Sequence, residues 1–145
     1  MNFLYKLDLE KTAQLVNNKV ILITGGTGSF GNKLVETLLN NFNPKKLIIF
    51  SRDEFKQYHM QKKFGMDQYP CMRYFIGDVR DKDRVMEAFR DVDIVFHAAA
   101  LKQVPAIEYN PNEAIKTNIY GTENVVHAAI NNNVERVIAL STEIL

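Results

Sequence analysis

Residues 24–31, TGGTGSFG, place glycines at 25, 28 and 31, between an apolar run and a helix-forming stretch. The chemistry this spacing serves is the holding of a pyrophosphate. Gly25 permits a tight turn out of a strand. Gly28 lets backbone approach phosphate with no Cβ in the way, and Gly31 allows close helix–strand contact. The start of the following helix offers unpaired N–H groups and a partial positive charge. Thr27 and Ser29 add hydroxyl donors, and Phe30 completes the turn. Alone, a glycine-rich turn is a weak sign. Between a strand and a helix it reads as dinucleotide binding.

The residues that would choose between NAD and NADP come about 20 positions on. There the chain reads Ser51-Arg52-Asp53, with Lys56 one turn later. A hydroxyl followed by a guanidinium suits a 2′-phosphate, because arginine pairs with phosphate through two parallel hydrogen bonds. Asp53 points the other way if it meets the ribose, or is neutral if it caps the next helix. The balance favours NADP. Asp78 could accept from an adenine amino group with Val79 against the ring, or it could serve as a turn residue. Ala98 ends another apolar run, where a small side chain lets a cofactor lie over the sheet edge. His97, inside that run, reads as a packed histidine rather than a base. Lys102 is better placed to face a ligand. His59, His127 and the single cysteine, Cys71, have no partner pattern and are assigned no chemistry.

These residues need a frame that brings four separate turns to one edge. Short β-branched runs at residues 19–24, 46–51, 72–77, 93–98 and 136–141 alternate with amphipathic stretches at 29–41, 52–64, 81–90 and 111–131. A short leading helix fits residues 8–17. Near-continuous apolar strands separated by helices predict a parallel sheet covered on both faces. Right-handed crossovers make it a doubly wound α/β sheet of the Rossmann type, five strands in order 3-2-1-4-5. The expected division is an N-terminal segment over 1–18 and one NAD(P)-binding domain over 19–145.

Composition agrees with a water-soluble domain: 145 residues, 46% hydrophobic and 24% charged. A net charge of +1 gives no electrostatic case for a nucleic-acid or anionic-membrane partner. One cysteine makes no internal disulfide, and no Cys/His cluster has metal-ligand spacing. The apolar runs are strand-length, far short of a membrane span. The first residues lack the features of a signal peptide. A cytoplasmic protein is expected.

Taken together, ITGGTGSFG (23–31), SRDEFKQ (51–57), GDVRD (77–81), HAAALKQVPAIEYNP (97–111), IKTNIYGTENV (115–125) and VIALST (137–142) resemble the extended short-chain dehydrogenase/reductase superfamily. Within it they look most like the inverting UDP-N-acetylglucosamine 4,6-dehydratases of the bacterial polysaccharide-biosynthesis group. The resemblance implies NADP contacts from Thr27, Gly28, Ser29 and Phe30, from Ser51, Arg52, Asp53, Glu54, Phe55 and Lys56, and from Asp78, Val79 and Ala98. It places Lys102 and Lys116 near cofactor or sugar nucleotide, where residue type alone would make them solvated lysines. Asn118 matches a helix asparagine near the active site.

The reaction so implied removes hydride from sugar carbon 4 to NADP⁺ and eliminates water across carbons 5 and 6. Hydride then returns to carbon 6, and carbon 5 is reprotonated on the opposite face. In the group, strand five ends Ser-Thr-Asp-Lys, supplying acid and base for the elimination. Here Thr142 matches the hydroxyl, Glu143 takes the aspartate position and Ile144 stands where the lysine would be. The group's Tyr-x-x-x-Lys pair would lie beyond residue 145, as would the sugar-binding domain. The expectation is therefore a truncated, cofactor-binding portion of such a dehydratase, inactive when isolated, with Thr142 and Glu143 as its catalytic remnants. The alternatives are a free-standing NADP-binding or redox-sensing module, or a fragment of a related nucleotide-sugar epimerase. The partners implied are a UDP-sugar and, through an exposed fifth strand, further copies of the chain.

Overall fold

The computed structural model describes residues 8–99, 112 and 116–140. Its elements are α1 (Leu9–Val16), β1 (Val20–Thr24), α2 (Ser29–Asn41), β2 (Lys46–Ser51), α3 (Glu54–Lys63), β3 (Met72–Ile76), α4 (Lys82–Ala88) and β4 (Ile94–His97). A π-helical turn, Lys116–Tyr120, then runs into α5 (Gly121–Asn131), and β5 (Arg136–Ala139) follows. The five strands form one parallel sheet in the order β3-β2-β1-β4-β5, as the sequence pattern predicts.

Period-two alternation along the strands builds two cores, one on each face. Leu22 and Val95 face α4 and α5, meeting Val85, Ala88, Val125 and Ala128. Ile21, Ile23, Leu47 and Ile49 face the other way, against Val35 and Leu38 of α2 and Met60 of α3. Every residue of β1 is buried, which is why VILIT carries no polar alternation until Thr24. Truncating a fully buried residue such as Leu22 to alanine would cost about 2–5 kcal/mol.

Three helices start on an aspartate whose carboxylate accepts from the amide three residues on: Asp8 from Lys11, Asp53 from Lys56 and Asp81 from Arg84. Each such cap contributes about 1 kcal/mol. Helix α3 thus begins after Arg52 rather than at it. Within the expected long helix over 111–131, Lys116–Tyr120 is π-helical and Gly121–Asn131 is α-helical. Strand β5 differs from its neighbours, since all four of its residues are exposed. Among the described residues it pairs with β4 alone.

Candidate cofactor site

The register of the sheet decides which turns meet. Thr24 lies beside Phe50 on one side and His97 on the other, and Ser51 lies beside Ile76. The C-terminal ends of β1, β2, β3 and β4 therefore open onto one edge, at the point where strand order reverses. Ligands of open α/β sheets bind at such a point. A cleft of about 280 Å³ lies there, lined by Gly25, Thr27, Gly28, Phe50, Ser51, Arg52, Asp53, Lys56, Gly77, Asp78, Val79, Ala98 and Ala99.

The glycine turn is shaped by close approach. Gly25 has φ +64°, and a Cβ there would sit 2.8 Å from the Ala98 carbonyl oxygen. A Cβ on Gly31 would fall 2.0 Å from the Gly26 carbonyl oxygen, so the helix is pressed onto the turn itself rather than onto the strand. At Gly28 the nearest atom to an added Cβ, the Gly25 oxygen, is 3.7 Å away. The space over Gly28 belongs to the cleft. No side chain caps α2, and Gly28 itself is its N-cap. Asn32 steadies the turn by donating to the carbonyls of Thr27 (3.2 Å) and Gly28 (2.9 Å). Backbone N–H donors, a helix N-terminus and room without a Cβ together fit a pyrophosphate.

At the end of β2, buried Ser51 faces the cleft with its Oγ accepting from Gln57 Nε2 at 2.9 Å. Asp53 Oδ1 accepts from the Lys56 amide at 3.0 Å, which is the capping role. The Arg52 guanidinium stays mostly exposed, with Nη1 3.8 Å from Asp78 Oδ2. Asp78 itself is gripped by Arg80: Nε reaches both carboxylate oxygens at 3.1 and 3.0 Å, Nη2 reaches Oδ2 at 2.7 Å, and the Arg80 amide donates at 2.9 Å. Partial burial would raise the Asp78 pKa. The hydrogen bonds and charge of Arg80, with the charge of Arg52, outweigh it and hold the carboxyl below its usual value.

His97 is a structural histidine. Thr24 Oγ1 accepts from the Ala98 amide at 3.1 Å and shares a hydrogen bond with His97 Nδ1 at 2.7 Å. Nε2 shares another with Thr122 Oγ1 at 3.1 Å. Burial pushes its pKa below the usual 6.5, so the ring is neutral at physiological pH. This network ties β1, β4 and α5 together beneath the cleft.

Not every expected residue lines that cleft. Ser29, Phe30 and Gly31 form the first turn of α2, and Glu54 is exposed at the start of α3. Phe55, 71% exposed, borders a neighbouring hollow with Thr27, Asn32, Lys56, His59 and Lys63. Lys116 opens the π-helical turn. Lys102, Thr142 and Glu143 lie outside the described residues. The Tyr-x-x-x-Lys spacing, expected to be missing, does occur once as a spacing, at Tyr58 and Lys62. There it lies on α3, with the Lys62 ammonium 4.8 Å over the Tyr58 ring, and Tyr58 does not line the cleft. It is a cation–π contact on an exposed helix face. Gln57, Asn32 and Arg80 are the structural partners that motif reading passed over. Gln57 had a signal, since it shares a helix face with Met60 and would otherwise be an unexplained polar residue toward the core.

Fold and cleft define a Rossmann-type dinucleotide-binding chain of the short-chain dehydrogenase/reductase kind. Polysaccharide biosynthesis protein is the family that matches, over residues 21–144, and the chain belongs to it. It is 59% identical to a UDP-N-acetylglucosamine 4,6-dehydratase (inverting) of Campylobacter jejuni over 129 residues, which are 89% of this chain and 38% of the relative. It is 51% identical to a UDP-glucose 4-epimerase of Rickettsia akari, covering 87% of this chain and 37% of the relative. The structure of a dTDP-glucose 4,6-dehydratase from Streptomyces venezuelae with NAD bound matches with a TM-score of 0.72 at 26% identity, over 81% of this chain and 37% of that one. The chain thus spans under two fifths of the length of the relatives it matches.

Proposed function

We propose that this chain is the NADP-binding N-terminal portion of a nucleotide-sugar 4,6-dehydratase. Its reaction converts UDP-N-acetylglucosamine to the 4-keto-6-deoxy sugar with inversion at carbon 5, a lyase step in bacterial polysaccharide or glycan biosynthesis. The observation that carries this is the 59% identity to the Campylobacter dehydratase across nearly the whole chain. The cleft supports the cofactor assignment. Gly25, Thr27 and Gly28, with the α2 N-terminus at Ser29, Phe30 and Gly31, would hold the pyrophosphate. Ser51, Arg52 and Lys56 would hold a 2′-phosphate, and Val79 and Ala98 would pack against adenine and nicotinamide-side ribose. The cofactor, when bound, supplies hydride acceptance and return. Lys102 and Lys116 would approach the sugar nucleotide, and Thr142 and Glu143 would stand at the elimination step. The cytoplasm, where nucleotide sugars are made, is the proposed compartment, and self-association along β5 is proposed for the isolated chain.

A graft tests the assignment. Residues 19–140 of this chain replace the matching residues of the Campylobacter enzyme, and the purified chimera is given UDP-N-acetylglucosamine and NADP⁺. NMR should show the 4-keto-6-deoxy product. A folded chimera that forms only the 4-epimer, or no product, would overturn the reading. The isolated chain should bind NADP⁺ without forming product, because no Tyr-x-x-x-Lys pair lies in its cleft.

A further inference from the structure

Gln57 is 2% exposed, and its amide joins three elements. Nε2 donates to the Ser51 carbonyl at 3.2 Å, to Ser51 Oγ at 2.9 Å and to the Phe75 carbonyl of β3 at 3.1 Å. Two of these partners can only accept, which fixes the amide orientation. With a donor already directed at it, the Ser51 hydroxyl has its own proton left for a partner in the cleft it lines. A proton given to a phosphate oxygen makes a charge-assisted bond, about twice as strong as the neutral bond it would make to a ribose 2′-hydroxyl.

We propose that Gln57 is a positioning residue for cofactor choice: it fixes Ser51 as a donor and so favours a 2′-phosphate over a 2′-hydroxyl. The proposal rests on the NADP reading above and adds a residue that touches no cofactor. Gln57 acts through Ser51, so its effect should appear in selectivity rather than in binding as a whole.

The test measures NADP⁺ and NAD⁺ dissociation constants by calorimetry for the unmodified chain, Gln57→Met, Gln57→Glu, Ser51→Ala and the Ser51→Ala/Gln57→Met double variant. The ratio of the two constants on one sample is independent of the folded fraction, so partial unfolding does not imitate the effect. Gln57→Met should lower the preference for NADP⁺ about tenfold, the scale of one charge-assisted hydrogen bond. Gln57→Glu should lower it further, because its carboxylate would accept the Ser51 proton and turn the hydroxyl inward. The double variant should match Ser51→Ala, since the two side chains act as one unit. A clear NADP⁺ preference in the unmodified chain that both Gln57 variants retain would overturn this proposal and leave the NADP reading standing. Equal affinities in the unmodified chain would overturn both.

Discussion

Arg52 Nη1 lies 3.8 Å from Asp78 Oδ2, while Arg80 holds the same oxygen at 2.7 Å. Asp78 therefore has its close partner without Arg52, and the longer, exposed pairing is worth little in water. Arg52 is free in energy terms to turn toward an incoming phosphate. Arg52→Ala should weaken NADP⁺ binding by about 1.5–3 kcal/mol, the range for a lost hydrogen bond to a charged group. NAD⁺ binding should change little. Calorimetry with both cofactors checks this, and an equal loss for both would remove Arg52 from the 2′-phosphate.

The same carboxylate gives a pH signature. Its folded pKa lies below the ordinary 3.8, so the unfolded chain takes up the proton first as pH falls. Stabilisation from Asp78 is complete above 3.8 and is lost as pH falls through the lower folded value. Asp78→Asn should lower the melting temperature at pH 7, and the gap from the unmodified chain should close in strong acid. A gap that persists unchanged to acid pH would mean the charge on Asp78 is not what stabilises the turn.

His97 behaves in the same sense for a different reason. Burial lowers its folded pKa below 6.5, so at pH values between the two the unfolded chain binds a proton that the folded chain refuses. Its stabilisation is complete above 6.5 and declines as pH falls toward the folded value. His97→Gln, which can still bridge Thr24 and Thr122, should flatten the fall in melting temperature between about pH 7.5 and 5.5. If the slope is unaltered, protonation elsewhere causes it.

The fifth strand carries an association prediction. Val137 and Ile138 are 41% and 42% exposed, and Ile130 on α5 is 70% exposed. Among the described residues β5 pairs along one edge alone, and such an apolar strand is a template for another chain. Sedimentation of the isolated chain should show mass rising with concentration, and Ile138→Lys should suppress the rise by placing a charge on the edge. A monomer at all concentrations would exclude association through β5.

Strand order and the composition of the cleft were legible because both follow from local signals. Apolar runs such as VILIT report burial on two faces, and a glycine turn after the first strand fixes where a ligand can enter. The directions of individual hydrogen bonds were not legible. Asp53 could have met ribose or capped α3, and the cap shows only in the 3.0 Å bond that Oδ1 accepts from the Lys56 amide. Asp78 read as an adenine acceptor or a turn residue, and the fork by which Arg80, two residues on, holds its carboxylate is not revealed by sequence spacing. Gln57 was hidden for a related reason, because its three acceptors come from β2 and β3, one of them 18 residues away. The π-helical turn before α5 left no mark in the apolar periodicity, and the change of helix type is a matter of tertiary fit.

The glycine turn allows folding and binding to be separated within one motif. An alanine methyl at Gly31 would sit 2.0 Å from the Gly26 carbonyl oxygen, against backbone that has no rotamer to change. Relief requires α2 to move off the turn, so Gly31→Ala should destabilise the fold by about 3 kcal/mol or more, at the upper end for overpacking. Gly25→Ala adds a left-handed backbone, φ +64°, to a 2.8 Å contact with the Ala98 carbonyl oxygen, and should be comparably harmful. At Gly28 the methyl meets nothing nearer than 3.7 Å, and its φ of −77° is open to any residue. Gly28→Ala should fold with stability within about 1 kcal/mol of the unmodified chain, the scale of a glycine-to-alanine change at a compatible position. Its methyl would project into the space assigned to the pyrophosphate, so affinity for NAD⁺ and NADP⁺ should fall together. Thermal melts and calorimetry on the three variants separate the effects. A Gly28→Ala chain that melts normally and binds both cofactors normally would show that the pyrophosphate does not cross the backbone there.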